Sequence, residues 1–396
     1  FGEEESVLVM LPELPNAKKN EQLHGCVLFL RERDRDLEIW NGRRLGIERA
    51  PETLGVDAAY SIDELWERLP ILLAGYERVM AQTGLDEARD RQLLETLHQL
   101  RMQARRGVQP PTELVDPGPL LHEQRLFKSE FEIDLMQRAA DITHEAHVAL
   151  MTQVEPGVFE YELDALLDYT FRRMGGNGPA YGNIVAGGVN ACILHYTEND
   201  AELKDGDLLL VDAGCELDCY ASDVTRTFPV NGRFSKEQRA LYEVVLEAQL
   251  AGIAEVRPGN IVTNMHDTAT RVLCEGLIRL GLLEGSLEKV LEDKAYRRFY
   301  MHGTGHWLGL DVHDCGAYAH KGDSRQFEAG MVTTVEPGLY VAEDDETVEA
   351  RWRGIGIRIE DDVLVTGSGN RVLTASIPKS VDEVEAACAG QTLSAV

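Results

Sequence analysis

The sequence predicts an α/β protein of two domains, the first over residues 1–125 and the second over 126–396. Three observations predict it. Strands and helices alternate through the first part, four prolines in "VQPPTELVDPGPLL" interrupt the chain near 108–126, and the remainder repeats one plan of helix, turn, helix and strand.

In the first domain "SVLVML", "GCVLFL" and "LEIW" read as strands, being short, apolar and rich in β-branched or aromatic residues. "SIDELWERLPILLAGY" reads as a helix with Ser61 as N-cap and Glu64 at the capping-box position. Residues 86–107 carry helical periodicity, with acids early and bases late, matching the helix dipole. The prolines then predict a break in regular structure before the second domain.

The second domain opens on a long helix, "SEFEIDLMQRAADITHEAHVALM", where Ser129 and Glu132 make a capping-box pattern. That helix runs into Val154-Glu155-Pro156-Gly157, and the helix "EYELDALLDYTFRRMG" follows. The same order returns later. A helix from about Glu237 runs into Val256-Arg257-Pro258-Gly259, followed by "NMHDTATRVLCEGLIRLG". Each copy then reaches a glycine, an apolar strand and an acid: Gly206 and Asp212 in "DGDLLLVDAG", Gly330 and Glu336 in "EAGMVTTVEPG". Two halves related by a pseudo-twofold would bring Asp212 and Glu336 face to face. Two more acids lie in the strands expected next, Asp223 in "YASDVTRTF" and Glu360 in "GIGIRIEDDVLV". Four carboxylates at one point repel, and a buried carboxylate without a positive partner costs several kcal/mol. Cations are therefore expected among them.

Composition narrows the function classes. The formal charge is -29, which disfavours nucleic acid and anionic membranes as partners and favours ligands with a free amino group. No apolar run approaches the ~20 residues of a membrane span, and no basic segment followed by an apolar stretch marks a secretory signal. Seven cysteines, an odd number without a CxxC pair, read as reduced thiols in a cytoplasmic protein.

Metal-ligand candidates come from "MHGTGHWLGLDVHD", which holds His302, His306 and His313 among glycines, and from His195 in "CILHYTEND". The glycines argue for an extended or looped segment rather than a helix. The pattern is not HExxH; no GxGxxG opens a helix, and GxxxxGK[ST] and GxSxG are absent, "GIGIR" being a strand. Four carboxylates with an imidazole form a hard, oxygen-rich donor set. It suits Mn²⁺ first, and Co²⁺, Fe²⁺ or Zn²⁺ besides. Two ions about 3.5–4 Å apart need bridging carboxylates, which acids from both halves would supply.

"LLLVDAGCELDCYASDVTRTFPVNGRFS", "HGTGHWLGLDVHD", "TTVEPGLY" and "RGIGIRIEDDVLVT", with "IWNGRRLG" and "LHEQRLFKS" before them, resemble the bacterial Xaa-Pro aminopeptidases, or aminopeptidases P. The resemblance implies a creatinase-like N-terminal α/β domain followed by a pita-bread catalytic domain, a duplicated α+β fold. It implies metal ligands at Asp212, Asp223, His306, Glu336 and Glu360, supporting residues at His195, His302, His313 and Arg358, and further lining at Tyr181 and Tyr340. It also implies a homo-oligomer, dimer or tetramer. Two departures stand out. Gly305 occupies a place where the family usually has serine, which would loosen the loop beside His306 or leave catalysis unaffected. The chain opens on "FGEEESVLVM" without a methionine, so the family's opening segment, which helps subunits associate, is expected to precede it.

The chemistry expected is hydrolysis of the first peptide bond of peptides with proline in second position. Two ions hold a bridging water and lower its pKa, and one binds the unprotonated substrate amine. Glu336 takes the water's proton and passes it to the leaving proline nitrogen. His302 and His195 donate hydrogen bonds to the developing oxyanion. His313 and Arg358 line the proline side, unless Arg358 only pairs with Glu360 or Asp361. A prolidase limited to Xaa-Pro dipeptides is the nearest rival. Methionine aminopeptidase lacks such a first domain, and creatinase uses no metal. A catalytically silent binding module on the same fold is the alternative of another class.

Overall fold

The computed structural model describes residues 2–13 and 25–390, in two compact units, Phe1–Leu120 and Leu121–Val396. In the first unit the strand Gly25–Leu30 lies between Val7–Leu11, antiparallel, and Ala58–Ser61, parallel. Being central, Val27, Leu28, Phe29 and Leu30 are all buried, whereas the edge strand Val7–Leu11 shows alternate exposure. A second, parallel pair joins Arg78–Met80 to Glu113–Val115. The helix Glu87–Met102 packs Leu93, Leu97 and Leu100 against Leu69, Leu73 and Val79.

Three expectations fail in this unit. "LEIW" is not a strand but part of the helix Arg35–Asn41. Asp34 accepts hydrogen bonds from the backbone N–H groups of Asp36 and Leu37, and that cap starts a helix where apolar content alone suggested a strand. Ser61 makes no side-chain cap; a 3₁₀ turn, Ile62–Glu64, leads into the helix Leu65–Leu73. The proline-rich stretch is irregular over residues 108–112 as expected, but it then regains regular structure in the strand Glu113–Val115 and the helix Gly118–Leu126, where Pro119 falls in the first turn and its missing N–H is harmless.

In the second unit Ser129 starts the helix Glu130–Gln153 with a complete capping box: its N–H donates to Glu132 Oε2 at 2.7 Å, and its hydroxyl accepts from the Glu132 N–H. The helix Glu160–Arg173 follows. Both pack on the sheet Ile184–Gly187, Leu208–Asp212 and Thr225–Pro229, which is antiparallel throughout. The second half repeats the arrangement with helices Lys236–Glu255 and Val262–Arg279 and the antiparallel sheet Val332–Val335, Asp361–Val365 and Asn370–Val372. The strand Gly338–Val341 pairs with Ile355–Arg358. Asp212 ends its strand opposite Thr225, and Val335, just before Glu336, ends its strand opposite Asp361. Asp223 and Glu360, expected inside strands, do not lie in them. Each sits in a break, Asp223 between Tyr220–Ala221 and Thr225–Pro229, Glu360 between Ile355–Arg358 and Asp361–Val365. A side chain in a break is freed from the up-down alternation of the pleat and can turn toward the strand ends. Among the described residues no helix is long and apolar enough to cross a membrane.

Candidate metal centre

The four acids meet in space. Asp223, His306 and Glu360 each present a ligand atom, all within 4.8 Å of one another. His306 Nε2 stands 3.4 Å from Asp223 Oδ2 and 3.6 Å from Glu336 Oε1. The Tyr181 hydroxyl bridges Asp212 Oδ1 and Asp223 Oδ1, 2.5 Å from each. Glu360 Oε2 accepts from the Thr225 hydroxyl at 2.6 Å. The ring of His306 is oriented by its other nitrogen: Nδ1–H donates to the Trp307 carbonyl at 3.1 Å, which fixes the tautomer and aims Nε2 at the carboxylates.

Gly305 tightens this loop rather than loosening it. A Cβ there would stand 2.0 Å from the Thr334 carbonyl oxygen. The glycine lets the His306 segment press onto the strand Val332–Val335, with Thr334 N–H donating to the His306 carbonyl at 2.9 Å.

Charge is out of balance here. Among the described residues one guanidinium bonds to a carboxylate of the four, and to one of them: Arg358 Nη2 donates to Asp212 Oδ2 at 2.6 Å. Arg358 does not pair with Glu360 or Asp361; Asp361 belongs to a separate buried network with Arg226 and Lys379. The titrations reflect the shortage of positive charge. Burial, then Asp223 and Glu336, push the Glu360 carboxyl well above its usual range. Burial raises Glu336 to about 7 against the pull of His306 and Arg358. Asp212 is raised by burial too, although Arg358 opposes it. For His306, burial opposes the charged ring, yet Asp223 and Glu336 outweigh it and lift the pKa to about 9. Divalent cations fit this donor set: oxygen-rich, one imidazole whose Nε2 faces the carboxylates, and more negative charge than Arg358 can offset.

A directed chain of hydrogen bonds leads away from Arg358. Its Nη1 donates to the Tyr340 hydroxyl at 3.1 Å, which lies 2.9 Å from His302 Nε2; His302 Nδ1 lies 2.7 Å from the Gly303 carbonyl. Both nitrogens of His302 are thus engaged, in the neutral form with the proton on Nδ1. Burial, then Arg358, lower its pKa to about 4, in keeping with that form. His195 and His313 are exposed, and the His313 ring meets that of His306 edge-on at 4.2 Å. Burial lowers the pKa of His302 and of His313. Tyr196, the residue after His195, packs in one buried cluster with Tyr340, whose hydroxyl meets Arg358 and His302, and this brings the His195 segment to the site.

Several residues around the site were not singled out in the sequence. Thr225 holds both Glu360 and Arg358. Thr304 ties His266 Nδ1, at 2.8 Å, to the Tyr300 hydroxyl, at 2.6 Å. Arg226 donates to the Glu360 backbone carbonyl at 2.5 Å. The polar run Thr225-Arg226-Thr227 inside an otherwise apolar strand was a visible signal; for His266 there was none.

Residues 134–367 match the model of metallopeptidase family M24, and residues 1–81 match the aminopeptidase P N-terminal domain. The chain belongs to metallopeptidase family M24. Its relatives include the Xaa-Pro aminopeptidase of Escherichia coli, 46% identical over 386 residues, which are 98% of this chain and 86% of that protein. That of Haemophilus influenzae is 46% identical over 97% of this chain and 85% of its own length. Among solved structures, the Pseudomonas aeruginosa aminopeptidase PepP superposes with a TM-score of 0.94 at 50% identity, covering 98% of this chain and 87% of that one. Proline aminopeptidase P II from Yersinia pestis gives 0.92 at 46% identity, covering 99% and 88%. The pita-bread fold, with the creatinase-like domain before it, follows from these matches. So do a hydrolase activity and divalent-metal binding, which the M24 match supports beside the acid–histidine cluster.

Proposed function

We propose that this M24 chain is an Xaa-Pro aminopeptidase, releasing the first residue from peptides with proline in second position. One observation carries the reading: Asp223, His306 and Glu360 present ligand atoms within 4.8 Å of one another, in a chain that matches Xaa-Pro aminopeptidases nearly end to end. Asp212, Asp223, His306, Glu336 and Glu360 would hold two divalent ions. Mn²⁺ suits this hard donor set best, with Co²⁺, Fe²⁺ or Zn²⁺ as substitutes. Bound there, the ions supply Lewis acidity toward the scissile carbonyl and a water that ionises near neutral pH.

The chain's own residues do the rest. Glu336 is the proton carrier. Its carboxylate, 3.6 Å from His306 Nε2 in the acid cluster, is placed to take a proton from the attacking water and return it to the proline nitrogen. That nitrogen has no N–H of its own and must be protonated to leave. Arg358 holds Asp212 in place and, through Tyr340, keeps His302 neutral and oriented. Tyr181 spaces Asp212 from Asp223. His195 is the freer donor toward a developing oxyanion, since both nitrogens of His302 are already engaged, and His313 lines the proline side.

Glu336→Gln keeps the shape and removes the proton carrier. Its turnover of a longer Xaa-Pro peptide should fall by about 10³-fold, in line with the loss of a general base. Turnover near wild type removes Glu336 from that role. Hydrolysis of Gly-Pro without hydrolysis of the longer peptide would make the protein a prolidase, and metal binding with no hydrolysis of either would make it a silent module. We propose cytoplasmic residence, supported by seven free cysteines, and a homo-oligomer, a dimer or tetramer, which light scattering would test.

A further inference from the structure

Glu160, the first residue of the helix Glu160–Arg173, is fully buried, with 0% exposure. A carboxylate so placed costs several kcal/mol unless its lone pairs are met. Four donors meet them. Oε1 accepts from the Gly187 N–H at 2.7 Å and the Asn190 amide at 3.1 Å; Oε2 accepts from the Tyr196 hydroxyl at 2.8 Å and the Ala201 N–H at 2.9 Å. None of the four is a lysine or arginine. All four belong to one stretch of chain, Gly187–Ala201, held near both ends and at two points between. A single carboxylate therefore closes the loop into a fixed ring, which an amide, with one acceptor atom, cannot do.

The ring carries His195, next to the anchored and buried Tyr196, and the exposed Ile193. Its other side rests on the strand Ile355–Arg358. A Cβ on Gly356 would stand 2.2 Å from the Ala191 carbonyl oxygen, so only glycine lets the loop lie this close to the strand that bears Arg358. Glu160 on one side and Gly356 on the other leave the loop little freedom.

We infer that Glu160 is the positioning residue for His195, holding the Gly187–Ala201 loop so that the imidazole reaches the substrate over the acid cluster. The inference rests on the peptidase reading above. The test is a double-mutant cycle on kcat/KM for an Xaa-Pro peptide with Mn²⁺ supplied. Glu160→Gln should lose about tenfold to a hundredfold in the wild-type background, the effect of an ångström-scale displacement. In a His195→Ala background the same substitution should lose less than about twofold, because the group it positions is gone. Equal losses in both backgrounds overturn the proposal and leave Glu160 a structural residue. Tyr196→Phe removes one of the four donors with little change of shape; it should show the same coupling to His195 at a smaller loss, and full activity in this variant also overturns the proposal. Hydrogen exchange of residues 188–198 reads the staple without activity. It should rise in Glu160→Gln while Leu208–Asp212 stays protected, and unchanged exchange overturns the proposal. Wild-type protein that fails to cleave any peptide would sink the functional reading, and the exchange measurement still decides whether Glu160 holds the loop.

Discussion

Stability of the metal-free protein should fall as pH rises from about 6.5 to 9, and bound metal should abolish that fall. The cause is the crowding of Asp212, Asp223, Glu336 and Glu360 around His306. His306 titrates at about 9 in the fold against 6.5 in an unfolded chain, and Glu336 at about 7 against 4.5. A raised folded pKa means that the native state binds the proton more tightly. The stability this contributes is complete below the unfolded pKa and lost as pH climbs through the folded one. Asp212 and Glu360, also raised, act in the same direction. His147 and His302, lowered to about 4 chiefly by burial, act in the opposite direction, but only below 6.5, where the unfolded imidazole starts to take protons. Above 6.5 the raised groups therefore dominate. His306 alone, with 15% of its side chain exposed, is worth about 3 kcal/mol between pH 6.5 and 9, and about half that once partial solvent screening is allowed for. The assay is urea unfolding in EDTA at pH 6.5, 7.5, 8.5 and 9, followed by tryptophan fluorescence. Trp307 and Trp352, 0% and 5% exposed, report on the second unit. The midpoint should move down steadily with pH at constant slope. With saturating Mn²⁺ the ligands are already deprotonated, and stability should hold or rise with pH as proton competition fades. A metal-free protein whose stability is level or increases over this range would refute the reasoning, because the cluster would then not be held together by protons in the absence of metal.

Other perturbations have defined outcomes. Arg226→Met removes a guanidinium with 0% exposure that pairs with Asp361 at 2.7 Å and donates to the Glu360 carbonyl. Asp361 keeps Lys379, so the loss should sit near the low end of the buried-pair range, about 3 kcal/mol by urea unfolding, with weaker Mn²⁺ binding by titration calorimetry. Lys128→Met breaks the buried pair with Asp314, 3.0 Å apart and each side chain 1% exposed; Arg125 still meets Asp314, so about 2–3 kcal/mol should be lost, seen as a lower urea midpoint. Ser129→Ala removes the capping box of the helix Glu130–Gln153 and should cost about 1 kcal/mol with kcat/KM unchanged, the stability read by urea unfolding. Proton release on Mn²⁺ binding, measured by calorimetry in buffers of different ionisation enthalpy, should be larger at pH 6.5 than at pH 8, since Glu336 is ionised by then.

Much of this was legible in the chain because the signals are local. The capping box at Ser129 and Glu132 is a matter of spacing, and it formed as read. The doubled order of helix, turn, helix and strand placed Asp212 and Glu336 at corresponding strand ends, and the glycines around His302 and His306 marked a loop. "LEIW" went astray because the deciding atoms belong to Asp34, one residue before the helix, whose cap outweighed strand-like composition.

By itself the sequence determined which groups exist, their order and their periodicity: a duplicated α+β unit with four acids and a histidine at matching places, enough to require cations. Only the tertiary structure decided the partners. It gave Arg358 to Asp212 rather than to Asp361, engaged both nitrogens of His302, turned Gly305 from a loosening into a tightening residue, and gathered four donors of one loop on Glu160. The reason is range. Caps and periodicity act over a few residues along the chain, whereas a hydrogen bond between Arg358 and Asp212 depends on a few tenths of an ångström between strands far apart in sequence, set by the packing of the whole core.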